Sequence, residues 1–104
     1  KHMEAEKPYL NEDLSLQVLS EQCELQPAQL SQVINQSYQM NFYDFVNQYR
    51  VEEAKKRLVS LDFDHLSVLG IAFDCGFKSK SSFNRYFKKY TGVSPSQFKK
   101  KQMQ

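Results

Sequence analysis

The sequence predicts an all-α fold of about seven helices, with two similar helical units joined by one long helix. Three observations predict it. Apolar residues recur at three- and four-residue steps, and no stretch sustains the period-two alternation of a strand. Glycine and proline are scarce, three of each, and all but Gly70 punctuate the chain at helix starts and stops. The chain also matches itself when shifted by about half its length.

From the N-terminus, Lys1-His2-Met3 reads as a tag remnant and is set aside. Residues 4–104 then form one domain, with 8–40 as a first unit, 41–61 as the linking helix, and 62–101 as a second unit with a final helix. Pro8-Tyr9-Leu10 is expected as a short helix packed on the first unit. A helix over 16–23 follows, capped by Ser15, and then one over 27–38 with Leu30, Val33, Ile34 and Tyr38 on its inward face. The strongest helical signal covers 42–61, where Phe42, Phe45, Val46, Tyr49, Ala54, Leu58 and Leu61 form one stripe. Asn41 is its cap and Asp44 its N3 residue. Beyond it come helices over 68–75 (cap Ser67), 80–91 (cap Ser79) and 95–101. The last has Ser94 as cap, Pro95 at N1 and Gln97 at N3, a capping box with the favoured proline. Gly76 and Gly92 follow helix ends, where a left-handed residue costs glycine nothing.

The repeat is in register. At a shift of 52, Leu14-Ser15-Leu16 falls on Leu66-Ser67-Val68, Leu19-Ser20 on Ile71-Ala72, Cys23 on Cys75 and Leu25 on Phe77. Past the turn the shift becomes 53, so the second turn is one residue longer. Leu30 then falls on Phe83, Ile34 on Phe87, Asn41 on Ser94 and Phe45 on Phe98. A short helix, a tight turn and a longer amphipathic helix make a helix-turn-helix pattern, and it occurs twice with its caps aligned. A helix over 42–60 would be about 28 Å long. Successive major grooves on one face of B-DNA lie roughly 34 Å apart. One chain could therefore present two recognition helices much as a dimer does.

Composition and charge narrow the function classes. Mean hydropathy is −0.65, and no apolar run approaches membrane-spanning length. Cys23 and Cys75 lie inside predicted helices without a CxxC pattern, which reads as buried reduced thiols rather than a disulfide. The net charge of +2 hides an asymmetry: residues 1–60 carry −3 and residues 61–104 carry +5. After Asp74 come Lys78, Lys80, Arg85, Lys88, Lys89, Lys99, Lys100 and Lys101 with no further acid. Charge alone leaves a polyanion partner and a solvated basic face equally open.

Two polar helix faces are candidates for reading DNA. On 27–38 the outward residues are Ala28, Gln29, Ser31, Gln32, Asn35 and Gln36, with no charge among them. Gln and Asn pair bidentately with adenine, and Ala packs on a thymine methyl. On 80–91, Phe83, Tyr86, Phe87 and Tyr90 turn inward, leaving Lys80, Ser81, Asn84, Arg85, Lys88 and Lys89 outward. Arg85 is placed to reach guanine O6 and N7. Ser79 at the helix N-terminus and Lys88 and Lys89 near its end suit phosphates, as do Lys78, Gln29 and Asn35. Lys55, Lys56 and Arg57 on the linking helix fit backbone contacts or, beside Glu52 and Glu53, surface ion pairs equally well. A single polar residue on such a face is more often simply solvated; the aligned pattern carries the case.

These residues resemble the DNA-binding domain of the AraC/XylS family of bacterial transcription regulators over roughly 8–99. In the second half the resemblance lies in Ile71-Ala72, Gly76-Phe77, Ser79, Ser82-Phe83, Arg85, Phe87-Lys88-Lys89, Gly92, Pro95 and Phe98. In the first half it lies in Leu16, Leu19, Leu30-Ser31, Ile34, Phe42, Tyr49-Arg50 and Ala54. The resemblance implies two recognition helices in successive major grooves of bent DNA, with base-reading positions at Ala28, Ser31, Gln32, Lys80, Ser81, Asn84 and Arg85. Three departures stand out. Gln39 takes the place of a glycine, Gln26 that of a serine cap, and Gly70 is expected mid-helix at a cost of about 1 kcal/mol. The first unit is accordingly expected to be the softer one.

Other function classes fare worse. His65 is the one histidine outside the tag remnant, and no nucleophile, metal or acid–base constellation is visible, so neither enzyme activity nor a cofactor is expected. A protein–protein module using the basic helical face is the alternative. The expected partners are double-stranded DNA and, for an activator, RNA polymerase. No small-molecule site is expected, and the isolated domain is expected to be a monomer. The expected location is the cytoplasm, at the nucleoid, with membrane anchoring open to a longer protein.

Overall fold

The structure, a computed structural model, describes residues 2–102. Among them are seven α-helices and no strand: α1 (His2–Glu6), α2 (Leu16–Gln22), α3 (Pro27–Tyr38), α4 (Phe42–Leu58), α5 (Val68–Asp74), α6 (Lys80–Thr91) and α7 (Pro95–Gln102). Two 3-10 turns, Pro8–Leu10 and Leu61–Phe63, complete the order. The all-α expectation and both helix-turn-helix arrangements, α2–α3 and α5–α6, hold.

The starts of the helices follow from their caps. Ser15 Oγ accepts from the Val18 amide at 3.1 Å, Asn41 Oδ1 from Asp44 at 2.8 Å, and Ser79 Oγ from Ser82 at 3.1 Å. Each such bond satisfies an amide that the helix itself leaves unpaired, worth about 1 kcal/mol. The box at α7 is complete: Gln97 N donates to Ser94 Oγ at 3.2 Å and Ser94 N to Gln97 Oε1 at 3.0 Å. At α3 the missing serine cap is offset by Gln29, whose Oε1 accepts from the Gln26 amide at 2.9 Å.

Two apolar cores share α4. Phe42, Phe45 and Val46 pack with Tyr9, Leu14, Leu19, Leu30 and Ile34 in the first. Val51, Ala54 and Leu58 pack with Ile71, Ala72, Cys75, Phe77, Phe83 and Phe87 in the second. The polar seam between them is also buried. Arg50 there donates through Nε to the Tyr9 carbonyl at 2.7 Å, through Nη2 to the Asn11 carbonyl at 2.9 Å, and through Nη1 to Asn47 Oδ1 at 3.0 Å. One turn further on, Glu53 pairs with Arg57 at 2.9 Å and Lys7 at 3.5 Å. The linking helix is thus buried on several faces, because a unit packs on each half of it.

Several details correct the sequence expectation. The linking helix ends at Leu58, not 61: Ser60 is extended and its Oγ accepts from the Asp62 amide at 3.2 Å, which opens a new turn. Leu61 consequently leaves the apolar stripe and is 84% exposed. Val33 and Tyr38 are also largely outside the core, since α3 docks through the narrower pair Leu30 and Ile34. Gly70 sits in the first turn of α5, where Ser67 Oγ accepts from its amide at 2.9 Å, rather than mid-helix. Pro8–Leu10 is a 3-10 turn, and His2–Glu6 adds a helix whose Met3 is buried in the first core. Both cysteines are free, and burial pushes the Cys75 thiol up to about 12.

The repeat extends to backbone conformation. Gly76 and Gly92 have φ of 101° and 85°, and at the matching places of the first unit Glu24 and Gln39 have φ of 59° and 58°. The first unit therefore adopts the same left-handed turns with side chains attached, each costing about 1 kcal/mol or more relative to glycine.

Candidate nucleic-acid interface

All thirteen residues singled out on the two helix faces are exposed: Ala28, Gln29, Ser31, Gln32 and Asn35 on α3, and Lys78, Ser79, Lys80, Ser81, Asn84, Arg85, Lys88 and Lys89 at and along α6. Each helix is held by the residues opposite that face. α3 rests on α2 and the first half of α4 through Leu30 and Ile34. α6 rests on α4, α5 and α7 through Phe83 and Phe87, which are 1% and 0% exposed. Edge-to-face and tilted ring contacts run from Phe77 through Phe83 and Phe87 to Phe98, at 5.2 to 5.6 Å between centroids. This aromatic column fixes the rotation of α6 and hence which side chains point outward.

The two faces differ in chemistry. The α3 face is neutral and rich in amides. Val33, expected to be inward, is 47% exposed and joins Gln29, Gln32 and Gln36 on one stripe at helical spacing. Periodicity alone hid it, because an apolar residue beside Leu30 and Ile34 looks like core. The α6 face is basic. Arg85 lays its guanidinium against the Tyr86 ring at 5.0 Å, which restricts the arginine without occupying its donors.

Not all the basic residues are alike. Lys78 pairs with Asp13 at 3.2 Å and Lys89 with Asp44 at 3.6 Å. Among the described residues, no carboxylate stands within ion-pair distance of Lys80, Arg85 or Lys88. On α4, Lys55 pairs with Glu52 at 3.3 Å, and Arg57, bound to Glu53, also lies over the Phe63 ring at 4.7 Å. Of the two roles open to Lys55 and Arg57, the ion pair is the one the structure has.

The sequence matches the model of the helix-turn-helix domain family over residues 19–101. The chain belongs to the AraC/XylS-type helix-turn-helix family. This AraC/XylS-type domain is 35% identical over 91 residues to an uncharacterised HTH-type transcriptional regulator of Staphylococcus aureus strain COL, covering 88% of the chain and 12% of that protein. It is 33% identical over 76 residues to the uncharacterised regulator YijO of Escherichia coli K12, covering 73% of the chain and 26% of that protein. The domain thus spans a small part of these relatives. Its fold is similar to that of the C-terminal domain of AraT, a response regulator from Geobacillus stearothermophilus, with a TM-score of 0.77 at 30% identity over 91% of this chain and 76% of that one. It is also similar to the C-terminal domain of the two-component response regulator yesN from Fusobacterium nucleatum, with a TM-score of 0.74 at 32% identity over 90% and 88%. The family is one of DNA-binding transcription regulators, not an enzyme class. No helix among the described residues is long and apolar enough to cross a membrane.

Proposed function

We propose that this domain binds double-stranded DNA sequence-specifically as part of a bacterial transcription regulator, with α3 and α6 entering successive major grooves. The observation that carries the reading is the doubled unit. Two capped helix-turn-helix arrangements, each with an exposed polar face, are mounted on the two halves of one continuous helix. The domain measures 45 × 24 × 23 Å, long enough for two helices about one DNA turn apart. In this reading Lys80, Ser81, Asn84 and Arg85 read one half-site and Ala28, Ser31 and Gln32 the other, with Val33 near a thymine methyl. Gln29, Asn35, Lys78, Ser79, Lys88 and Lys89 contact phosphates and sugars.

The division of labour follows from charge. The α6 unit supplies most of the salt-dependent affinity, and the neutral α3 face supplies discrimination. Such a domain works in the cytoplasm at the nucleoid, and in an activator it would also meet RNA polymerase. Selection on random duplexes tests the reading. The expected result is a bipartite site with half-sites about 10 base pairs apart, bound with a steep salt dependence and weakened roughly ten-fold or more by Arg85→Ala. A single block of about 4–6 base pairs would rule out simultaneous use of both helices, and indifference to duplex sequence would favour the protein-binding alternative.

A further inference from the structure

We propose that Asp13 and Asp44 hold Lys78 and Lys89 away from DNA phosphates and so lower the domain's sequence-independent affinity. The proposal rests on the reading that α6 faces DNA and adds to it a built-in competitor for two of its cations. Both lysines flank α6, Lys78 just before its cap and Lys89 in its last turn. Each is paired with a carboxylate from outside the second unit: Asp13 ahead of α2, and Asp44 in the first turn of α4. Tyr90, beside Lys89, donates its hydroxyl to the Asp44 carbonyl at 3.3 Å, which keeps this end of α6 against α4.

The repeat shows that the pairs are additions to the basic plan. Lys78 is the extra residue of the second turn and has no counterpart in the first unit. Lys89 corresponds to the neutral Gln36, Asp13 to His65, and Asp44 to Gln97. Neither pair is needed to make a helix-turn-helix, because the first unit does without both lysines and the second without both acids. Lys80, Arg85 and Lys88, by contrast, have no carboxylate within ion-pair distance among the described residues and can meet a polyanion at once. The side chains of both lysines are more than half exposed, at 64% and 54%, so a phosphate can reach them from the solvent side. Binding there must displace the carboxylate or accept its repulsion. The Lys78–Asp13 pair, exposed on both sides, is weak enough to be exchanged in this way, and the Lys89–Asp44 pair, whose carboxylate is 26% exposed, is the more sheltered of the two.

The effect acts on phosphate contacts, so it is the same on any duplex. It is tested by fluorescence anisotropy with random-sequence duplexes at low salt, using the whole chain. Asp13→Asn and Asp44→Asn are each expected to tighten binding about two- to five-fold. The gain from Asp13→Asn should vanish when Lys78→Ala is present, and that from Asp44→Asn when Lys89→Ala is present. Unchanged or weaker binding by the asparagine variants overturns the proposal, as does a gain that persists without the lysine, which marks a general charge effect. If Lys78→Ala and Lys89→Ala leave binding untouched both in the parent chain and in the asparagine variants, the phosphate assignment itself fails. The far-ultraviolet circular dichroism of each variant, expected to match the parent, separates these outcomes from a folding defect.

Discussion

Arg50 Nε lies 2.7 Å from the Tyr9 carbonyl oxygen, in the buried seam where the two cores meet. The same guanidinium reaches Asn11 and Asn47, so one side chain of α4 ties down the segment that leads into the first unit. Gly76 of the second unit stacks against the same point: a Cβ there would lie 2.3 Å from the Tyr9 oxygen and 2.7 Å from Arg50 Nε. The N-terminal segment, the linking helix and the second unit therefore interlock at a single buried cation. Burial lowers its pKa, yet a guanidinium stays charged in proteins, and its three acceptors compensate the desolvation.

Arg50→Ala leaves the buried Tyr9 carbonyl without its donor and takes one of two donors from the Asn11 carbonyl, which keeps the Leu14 amide. It is expected to destabilise the domain by about 3 kcal/mol or more, read as a lower urea midpoint with little change in slope. Arg50→Lys should recover only part of this, because an ammonium cannot reproduce the planar fork that serves the separated acceptors.

The left-handed turns give a graded series. Gly76→Ala is expected to cost more than about 3 kcal/mol, since both φ and the approach of the Tyr9 backbone forbid a side chain. Gly92→Ala, with nothing within 4 Å, should cost only about 1 kcal/mol from φ. Gln39→Gly should instead stabilise by about 0.5–1 kcal/mol by relieving the left-handed conformation. Thermal melts of the three variants check the order.

Glu53 gives the domain an acid-sensitive joint. Burial by itself pushes its carboxyl up, but the hydrogen bond from Arg57 and the charge of Lys7 outweigh that and leave it below the usual 4.5. With the folded value below the unfolded one, the stabilisation is complete above about 4.5 and drains away as pH falls through the folded value. Glu53→Gln is therefore expected to be less stable at neutral pH by about 1–3 kcal/mol and to show a flatter loss of stability on acidification. Urea midpoints from neutral pH down to about pH 3 would show it.

The two units should differ in local stability. The first carries Glu24 and Gln39 in left-handed turns, whereas the second has Gly76 and Gly92 at the matching places and closes on the fully buried Phe77, Phe83 and Phe87. Native-state hydrogen exchange is expected to show weaker protection in 15–38 than in 66–91. Equal or stronger protection in the first unit would contradict this.

The sequence by itself determined the number of long helices, their starts, and their pairing into two units. Those features are written in local chemistry: Ser15, Asn41, Ser67, Ser79 and Ser94 each cap the helix they precede in the sequence, and apolar spacing is a property of neighbouring residues. Even the glycine missing at Gln39 was visible there, although Glu24, its companion, was not, because glutamate carries no turn signal. Tertiary structure alone decided the rest. It turned Val33 outward and drew Asp13 to Lys78 and Asp44 to Lys89. It also brought Arg50, Tyr9 and Gly76 to one buried point. Periodicity records which side of a helix is apolar, but contacts between residues far apart in the chain depend on how the helices pack, and no local spacing carries that information.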